Sequence, residues 1–143
     1  MQAIGKTKGG WNTKLHVFAA DDKHPVLFSL TSGEVHDSVE CRNLLCEHGL
    51  VAKWGTPLLM DRAYECDELR FLAMILGYNP VVPPKSNRKD PWEYDKELYK
   101  SRNEVERFFR RYDRFRRIFT RYDKLDFMFS FFFLVCVIFD CLN

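Results

Sequence analysis

The residues from Tyr99 to Tyr122 restrict the fold most, because they contain neither glycine nor proline and are typical of one long helix. At about 100° per residue, their apolar side chains fall on one broad face, which requires a hydrophobic core. Roughly opposite lies a basic ridge, which suits a polyanion, formed by Arg107, Arg110, Arg114, Arg117 and Arg121. A narrow column between the two contains Tyr99, Arg102, Glu106 and Asp113. Glu106 either balances the charge of its arginine neighbours or binds a metal ion beside a track of phosphates.

The distribution of charge supports one basic surface. The chain has 143 residues, a length that predicts a single domain, residues 1–143. Its net charge is only +2. Residues 85–124 contain 14 Lys or Arg against 8 Asp or Glu, whereas the rest of the chain has 22 − 14 = 8 basic and 20 − 8 = 12 acidic residues. Such a basic half indicates a surface that faces nucleic acid, although a solvated helix face is the commoner origin of charge runs.

Cysteine usage and hydropathy indicate the cellular compartment in which the chain is expected to work. The five cysteines include no Cys-x-x-Cys pair, and no signal peptide is evident, so we expect a reducing, cytoplasmic environment. The apolar run from Phe127 to Phe139 has 13 residues, fewer than the 20 or so that span a bilayer. It predicts a core helix, with a membrane-associated protein as the alternative.

The remaining pattern predicts a mixed α/β domain. We expect a mobile lead-in over residues 1–12, then strands and helices that alternate as far as a proline-framed basic loop over residues 83–97. The predicted elements are a hairpin of Lys14–Ala20 and Val26–Thr31, a helix that Asp37 or Ser38 caps and that runs to about Glu47 before Gly49 ends it, a strand Thr56–Met60, a helix Asp67–Leu76 ended by Gly77, and a strand Asn79–Val82.

Two candidate sites follow from this pattern. Asp61 comes directly after a buried strand, where sites on α/β sheets tend to form, although a turn-initiating aspartate is the more frequent explanation. The basic loop offers Lys85, Arg88 and Lys89 to phosphates, or else is a plain exposed connector.

Several motifs, in order, resemble one family over nearly the whole chain. They include the segments 5–10, 13–16, 33–38, 60–64, 82–85, 102–109 and 116–124. The chain resembles the catalytic domain of bacterial insertion-sequence transposases of the DDE type, which have a ribonuclease-H-like fold. Tyr99, Arg102 and Glu106 match the family signature Tyr-x2-Arg-x3-Glu-x6-Lys.

The resemblance implies a chemistry and a set of partners. Asp61 would be the second acid of the catalytic triad and Glu106 the third, and together they would bind Mg²⁺ or Mn²⁺. Tyr99 and Arg102 would contact the DNA near the scissile phosphate, and the arginine ridge would follow its backbone. The implied reaction is DNA strand cleavage and strand transfer at the ends of an insertion sequence. The resemblance also implies a protein that forms homo-oligomers when functional and that does not act at a membrane.

Two departures from the family pattern qualify this expectation. Asp113 stands where the signature has its final lysine, and the first acid of the triad, with the central strand that carries it, is absent. We therefore expect an N-terminally truncated transposase domain that is inactive and of low stability alone, and that needs an upstream-encoded segment or a full-length homologue. The alternative is a non-catalytic DNA-binding fragment that modulates a full-length transposase.

Overall fold

The computed structural model describes residues 2–142, apart from the side chain of Phe119. The chain divides into two compact units. The terminal unit comprises Met1–Val35 with Glu104–Asn143, and the middle unit comprises His36–Asn103. The expectation of a single domain over residues 1–143 stays a prediction.

The elements confirm a mixed α/β chain. Besides its strands and helices, the chain has short 3-10 turns at Arg62–Tyr64 and Lys100–Arg102. In chain order the strands and helices are β1 (Gly5–Thr7), β2 (Gly10–Ala19), β3 (Pro25–Ser32), α1 (Asp37–Glu47), β4 (Thr56–Leu59), α2 (Asp67–Ile75), β5 (Tyr78–Val81), α3 (Lys96–Tyr99), α4 (Asn103–Tyr112), α5 (Arg116–Phe119) and α6 (Asp126–Cys141).

The terminal unit contains an antiparallel sheet in the order β1-β2-β3. The predicted hairpin is confirmed, since β2 and β3 pair from Thr13 opposite Ser32 to Ala19 opposite Pro25. Its turn is closed by Asp21, whose Oδ1 accepts hydrogen bonds from the backbone N–H groups of Lys23 and His24.

Two paired strand segments lie within the predicted lead-in over residues 1–12. Met1 lies outside the described residues, but β1 and the start of β2 occupy Gly5 to Asn12 and pair with each other. Gly10 permits the tight turn between them because its φ of 106° lies in the region that favours glycine.

The core of the terminal unit is rich in aromatic side chains. It consists of Phe108 and Tyr112 from α4 together with Phe133, Cys136 and Val137 from α6. Partly buried residues of the sheet, of α4 and α6 themselves and of the segment after α4 pack against it: Leu15, Val17, Phe28, Phe109, Phe115, Ile118 and Phe132. The run Phe127–Phe139 thus lies in a core helix, as predicted, although only one face of that helix is buried.

The single helix predicted from Tyr99 to Tyr122 is wrong, because the segment is broken into α3, a 3-10 turn, α4 and α5. After Tyr112 the chain turns, and Phe115 is extended with φ −92° and ψ 94°. The turn lets Phe115 and Ile118 pack against the core, while Arg114 pairs with Asp140. These tertiary contacts outweigh the helix propensity of a segment without glycine or proline.

The middle unit has a two-stranded parallel sheet with helices packed on it. Strands β4 and β5 pair from Thr56 opposite Tyr78 to Leu59 opposite Val81. The buried residues that hold the unit together are Leu44, Leu45, Leu58, Met60, Leu69, Ala73, Val81 and Val82.

Helices α1 and α2 match the predicted helices in extent, with one difference at a cap. Asp37 or Ser38 was expected to cap α1, but Asp37 is its first residue and His36 caps it, since its Nδ1 accepts a hydrogen bond from the backbone N–H of Ser38. Gly49 and Gly77 follow α1 and α2 with positive φ, as predicted for glycines that end helices.

Candidate functional site

Asp61 lies directly beyond the parallel sheet of the middle unit. The backbone N–H of Met60 donates to the carbonyl of Val81, which extends the pairing of β4 and β5 by one residue. The side chain of Asp61 then caps the 3-10 turn, where its Oδ1 accepts from the backbone N–H of Arg62 at 2.6 Å. The carboxylate nevertheless remains 55% exposed. The local fold thus gives it a fixed position and access to solvent.

Arg102 and Tyr99 lie beside this carboxylate. Arg102 places Nη1 3.6 Å from Oδ2 of Asp61, and its guanidinium carbon lies 5.8 Å from the centre of the Tyr99 ring. The Tyr99 ring in turn packs edge-on against Tyr94, with centroids 5.6 Å apart. Three of the residues singled out from the sequence are therefore neighbours within the middle unit. Tyr94 thus supports the ring of Tyr99.

The environment of Tyr99 favours the protonated form of its hydroxyl. Burial raises the pKa of Tyr99, and the Asp61 carboxylate adds to this, while the positive charge of Arg102 opposes it. A neutral phenol can donate a hydrogen bond, and Arg102 supplies a positive charge. Together they present donors that suit a phosphate oxygen.

The basic loop is attached to the segment after Asp61 through Glu65, which is only 4% exposed. Arg88 donates from Nη1 to Oε1 of Glu65 at 2.5 Å, and Lys85 places Nζ 3.3 Å from Oε2. Arg88 also bonds to Asp67. The bond to Asp67, and then that to Glu65, raises the pKa of Arg88. Two of the three cations predicted to meet phosphates are thus held by carboxylates, whereas Lys89 is exposed.

The sequence patterns did not identify Glu65 as a functional residue. The one signal that could have done so is its place four residues after Asp61. Its burial follows from packing: it directly follows the turn that Asp61 caps, and the loop residues Lys85 and Arg88 fold onto it. Glu65 therefore couples the Asp61 segment to the basic loop.

Trp92 fixes the return of the basic loop. Its Nε1 donates to the carbonyl of Val82 at 2.8 Å. The guanidinium carbons of Arg70 and Arg88 lie 3.5 and 4.4 Å from the centre of its ring. An open pocket of about 310 Å³ lies here, lined by Asp67, Arg70, Arg88, Asp90, Pro91 and Trp92.

Glu106 lies in the terminal unit, on the first turns of α4, and is exposed. Glu104 and Glu106 place negative charge near the N-terminus of α4, which complements the helix dipole. Glu104 pairs with Arg107 at 2.7 Å, and Arg107 remains 58% exposed.

The predicted arginine ridge is divided by the break after α4. Arg107 and Arg110 lie on α4 and are exposed, whereas Arg114 follows the helix and pairs with Asp140 at 2.7 Å. Arg117 pairs with Asp123 at 2.8 Å and remains 51% exposed. The ridge therefore does not run along one helix.

Arg121 is the least accessible of these arginines, with a side chain only 11% exposed. It donates to Oδ1 of Asp126 at 2.5 Å, to Oγ1 of Thr13 at 2.7 Å and to the carbonyl of Ala3 at 3.2 Å. These bonds join the start of α6 to the sheet of the terminal unit.

The metal-ion donors are of a suitable kind but few. Asp61 and Glu106 offer exposed carboxylate oxygens, which are the ligands that Mg²⁺ prefers. Within residues 2–142, no group of three or more His, Cys, Asp or Glu side chains is placed to hold a metal ion.

Comparison with known families identifies the chain. The family model described as the transposase DDE domain matches residues 3–140. This chain belongs to the transposase DDE domain family. No curated protein and no solved structure gives a significant match.

Membership of the transposase DDE domain family confirms the resemblance inferred from the motifs. The matched region contains the residues that the motifs singled out, from Asp61 to Glu106. DDE transposases generally use divalent metal ions. Among the described helices of this family member, none combines the length and the apolar character needed to cross a bilayer.

The contacts of Glu65 lead to a first prediction. Glu65→Gln is expected to lower the free energy of unfolding by about 1–3 kcal/mol, because it removes a buried charge that accepts charge-assisted bonds from Lys85 and Arg88. Chemical denaturation followed by circular dichroism measures this.

Glu68→Gln is the matched control for Glu65→Gln. Glu68 pairs with Arg42 at 3.0 Å but is 70% exposed, so this substitution should cost less than about 1 kcal/mol. Equal losses in the two variants would contradict a special role for Glu65.

Proposed function

We propose that this chain acts in DNA transposition, as a transposase catalytic domain that cleaves and joins DNA strands at insertion-sequence ends in the cytoplasm. The family match over residues 3–140 carries the proposal. The adjacency of Asp61, Arg102 and Tyr99 supports it, because these are residues of the family motifs and they lie together in the middle unit. We further propose that the domain has a ribonuclease-H-like architecture in its functional form.

In this proposal Asp61 and Glu106 would hold Mg²⁺ or Mn²⁺. A bound divalent ion supplies electrostatic activation of a nucleophilic oxygen and stabilisation of the leaving oxygen. The capping bond from the backbone of Arg62 would orient the Asp61 carboxylate. Arg102 lies 3.6 Å from it, where its charge could neutralise a DNA phosphate and Tyr99 could donate to a phosphate oxygen.

The family triad has three acids, and two of them have matches in this sequence. We propose that a further carboxylate, from an upstream-encoded segment or from a full-length homologue, completes the site, and that the chain alone is inactive. Asp113, at the position of the signature lysine, would repel a phosphate, and Arg110, exposed on α4, would offset part of this repulsion.

The arginines that remain exposed would hold the DNA backbone. Arg107, Arg110, Arg114 and Arg117 can reach phosphates with little dependence on base sequence. Lys85, Arg88 and Lys89 would contribute from the basic loop. Arg121 would act mainly by anchoring α6 to the sheet, since three parts of the terminal unit already accept its hydrogen bonds.

A cleavage assay tests the catalytic part of the proposal. The chain is mixed with DNA carrying element ends and Mg²⁺, with or without the upstream-encoded segment. We expect cleavage only with that segment, and a loss of at least about 100-fold in Asp61→Asn and in Glu106→Gln. Both variants should still bind DNA.

The control for this assay is Asp90→Asn, a carboxylate of the basic loop to which the motifs give no role. Cleavage that continues in Asp61→Asn would refute the proposed site. DNA binding without cleavage in every mixture would instead favour the non-catalytic fragment that modulates a full-length transposase.

A binding titration tests the DNA surface by itself. The affinity for a labelled duplex should fall steeply as salt rises, and Arg107→Ala combined with Arg110→Ala should weaken binding and reduce the salt slope by about 2. Arg42→Ala, at a surface arginine outside the proposed DNA surface, should change neither. Binding that is insensitive to salt would contradict the proposal.

A further inference from the structure

Two cysteines of the middle unit lie where helix α1 meets the start of α2. Cys41 is on α1. Cys66 directly precedes α2, where its Sγ accepts a hydrogen bond from the backbone N–H of Leu69 at 3.3 Å. Both cysteines are free thiols and are partly buried. The proposed role in transposition uses neither of them.

The contact between α1 and α2 brings these two cysteines together. Helix α1 packs against α2 and against the 3-10 turn Arg62–Tyr64. Arg42, the residue after Cys41, pairs with Glu68 at 3.0 Å, and Glu68 lies two residues after Cys66. Because this ion pair joins near neighbours of the two cysteines, it marks the place where the two backbones lie side by side.

The electrostatics of Cys41 agree with this placement. Burial raises the pKa of Cys41 to about 12, and the nearby thiol of Cys66 and then the charge of Glu40 add to the rise. A thiol with this pKa is almost entirely protonated at neutral pH, and the thiolate is the reactive form. Cys66 is therefore the thiol of the pair that reacts first.

The third cysteine of the middle unit is placed differently. Cys46 is exposed and lies five residues after Cys41 on α1. Five residues turn a helix through about 500°, so the two side chains are roughly 140° apart around its axis. Cys136 and Cys141 belong to the terminal unit. Cys41 and Cys66 are thus the pair that the fold of the middle unit brings together.

We propose that Cys41 and Cys66 are a reversible modification site, at which a low-molecular-weight disulfide such as oxidised glutathione converts the two thiols into a disulfide bond between α1 and the start of α2. The proposal rests on the fold of the middle unit and does not depend on the proposed role in transposition.

The exchange takes two steps. The Cys66 thiolate attacks one sulfur of oxidised glutathione, which forms a mixed disulfide and releases one glutathione thiolate. Cys41 then loses its proton and attacks Sγ of Cys66, which releases the second glutathione. Two protein thiols are oxidised, one oxidised glutathione is reduced to two glutathiones, and the protons of the two cysteines end on those two molecules.

The disulfide would restrain the segment between Asp61 and α2. Cys66 comes shortly after the turn that Asp61 caps, in which the backbone N–H of Tyr64 donates to the carbonyl of Asp61 at 2.9 Å. A covalent link from Cys66 to α1 limits how far this turn can open. We therefore expect amide hydrogen exchange at Tyr64 to slow severalfold on oxidation.

Counting thiols tests the pair directly. With the exposed Cys46 and Cys141 changed to serine, the full chain keeps three of its five cysteines. Titration after denaturation should find three thiols before incubation with oxidised glutathione. It should find one afterwards, that of Cys136, and three again once dithiothreitol has been added.

Peptide mapping and single substitutions identify the partners. Trypsin should release residues 24–42 linked to residues 63–70. In the same background, Cys41→Ser should leave glutathione attached to Cys66, whereas Cys66→Ser should leave two free thiols. Restoring Cys46 is the matched control, and it should not change the linked peptides. Circular dichroism verifies that each variant is folded, and alanine replaces serine in any variant that is not.

Three outcomes would overturn the pairing. One is that all three thiols survive the incubation. Another is that glutathione stays on Cys66 while Cys41 remains a free thiol. The third is a digest in which Cys66 is linked to a cysteine other than Cys41. DNA binding by the reduced chain, measured in parallel, separates failure of this site from failure of the proposed function.

Discussion

Replacing Phe133 with alanine should lower the free energy of unfolding of the terminal unit by about 3–5 kcal/mol. Phe133 has no exposed surface, and its ring lies 4.9 Å from that of Phe28, 5.6 Å from that of Tyr112 and 6.4 Å from that of Phe108. It thus joins the sheet to α4 and α6. Alanine would leave a cavity that aromatic neighbours cannot easily fill. Urea denaturation followed by circular dichroism measures the loss.

The control for this substitution is Phe71→Ala. Phe71 is 64% exposed on α2, so the same change of side chain should cost no more than about 0.5 kcal/mol. Similar losses at the two positions would mean that the aromatic cluster does not hold the terminal unit together.

A second large effect is expected at alkaline pH, through Tyr112. Its side chain is 1% exposed, and its hydroxyl has no hydrogen-bond partner among the described residues. Burial, followed by the nearby charge of Asp140, raises the pKa of Tyr112 to about 12, while Arg111 opposes this. In the unfolded chain a tyrosine has a pKa near 10.

The sign of the effect follows from these two pKa values. The unfolded state releases the Tyr112 proton first, so this titration leaves the free energy of unfolding at its full value below about pH 10 and lowers it as the pH rises towards 12. The loss should reach roughly 2–3 kcal/mol. It is measured as the difference in unfolding free energy between about pH 8 and about pH 11, where part of it has developed.

Tyr112→Phe should abolish the part of this alkaline loss that Tyr112 causes. At neutral pH it should leave stability unchanged or raise it by up to about 1 kcal/mol, because it removes a buried hydroxyl that makes no hydrogen bond. Tyr122→Phe is the control, since Tyr122 is 66% exposed and should leave the alkaline loss as it is. An unaltered pH dependence in Tyr112→Phe would contradict the assignment.

Local signals in the sequence were sufficient to predict most of the strands and helices. Alternating apolar residues around Asp21 and Pro25 predicted the hairpin, and glycines at 49 and 77 predicted where α1 and α2 end. The place of Asp61 after a buried strand was also predicted from the chain. These features depend on neighbours along the sequence, so periodicity and turn chemistry are enough to predict them.

The sequence by itself determined the family, the alternation of strands and helices, and the residues that match the family motifs. Only the tertiary structure decided that Arg121 is enclosed while Arg107 stays exposed, and that Glu65 holds Lys85 and Arg88. It also decided that the segment from Tyr99 to Tyr122 breaks after Tyr112. The physical reason is that burial and ion pairing join residues far apart in the chain, and their energies exceed the small local preferences on which sequence patterns rest.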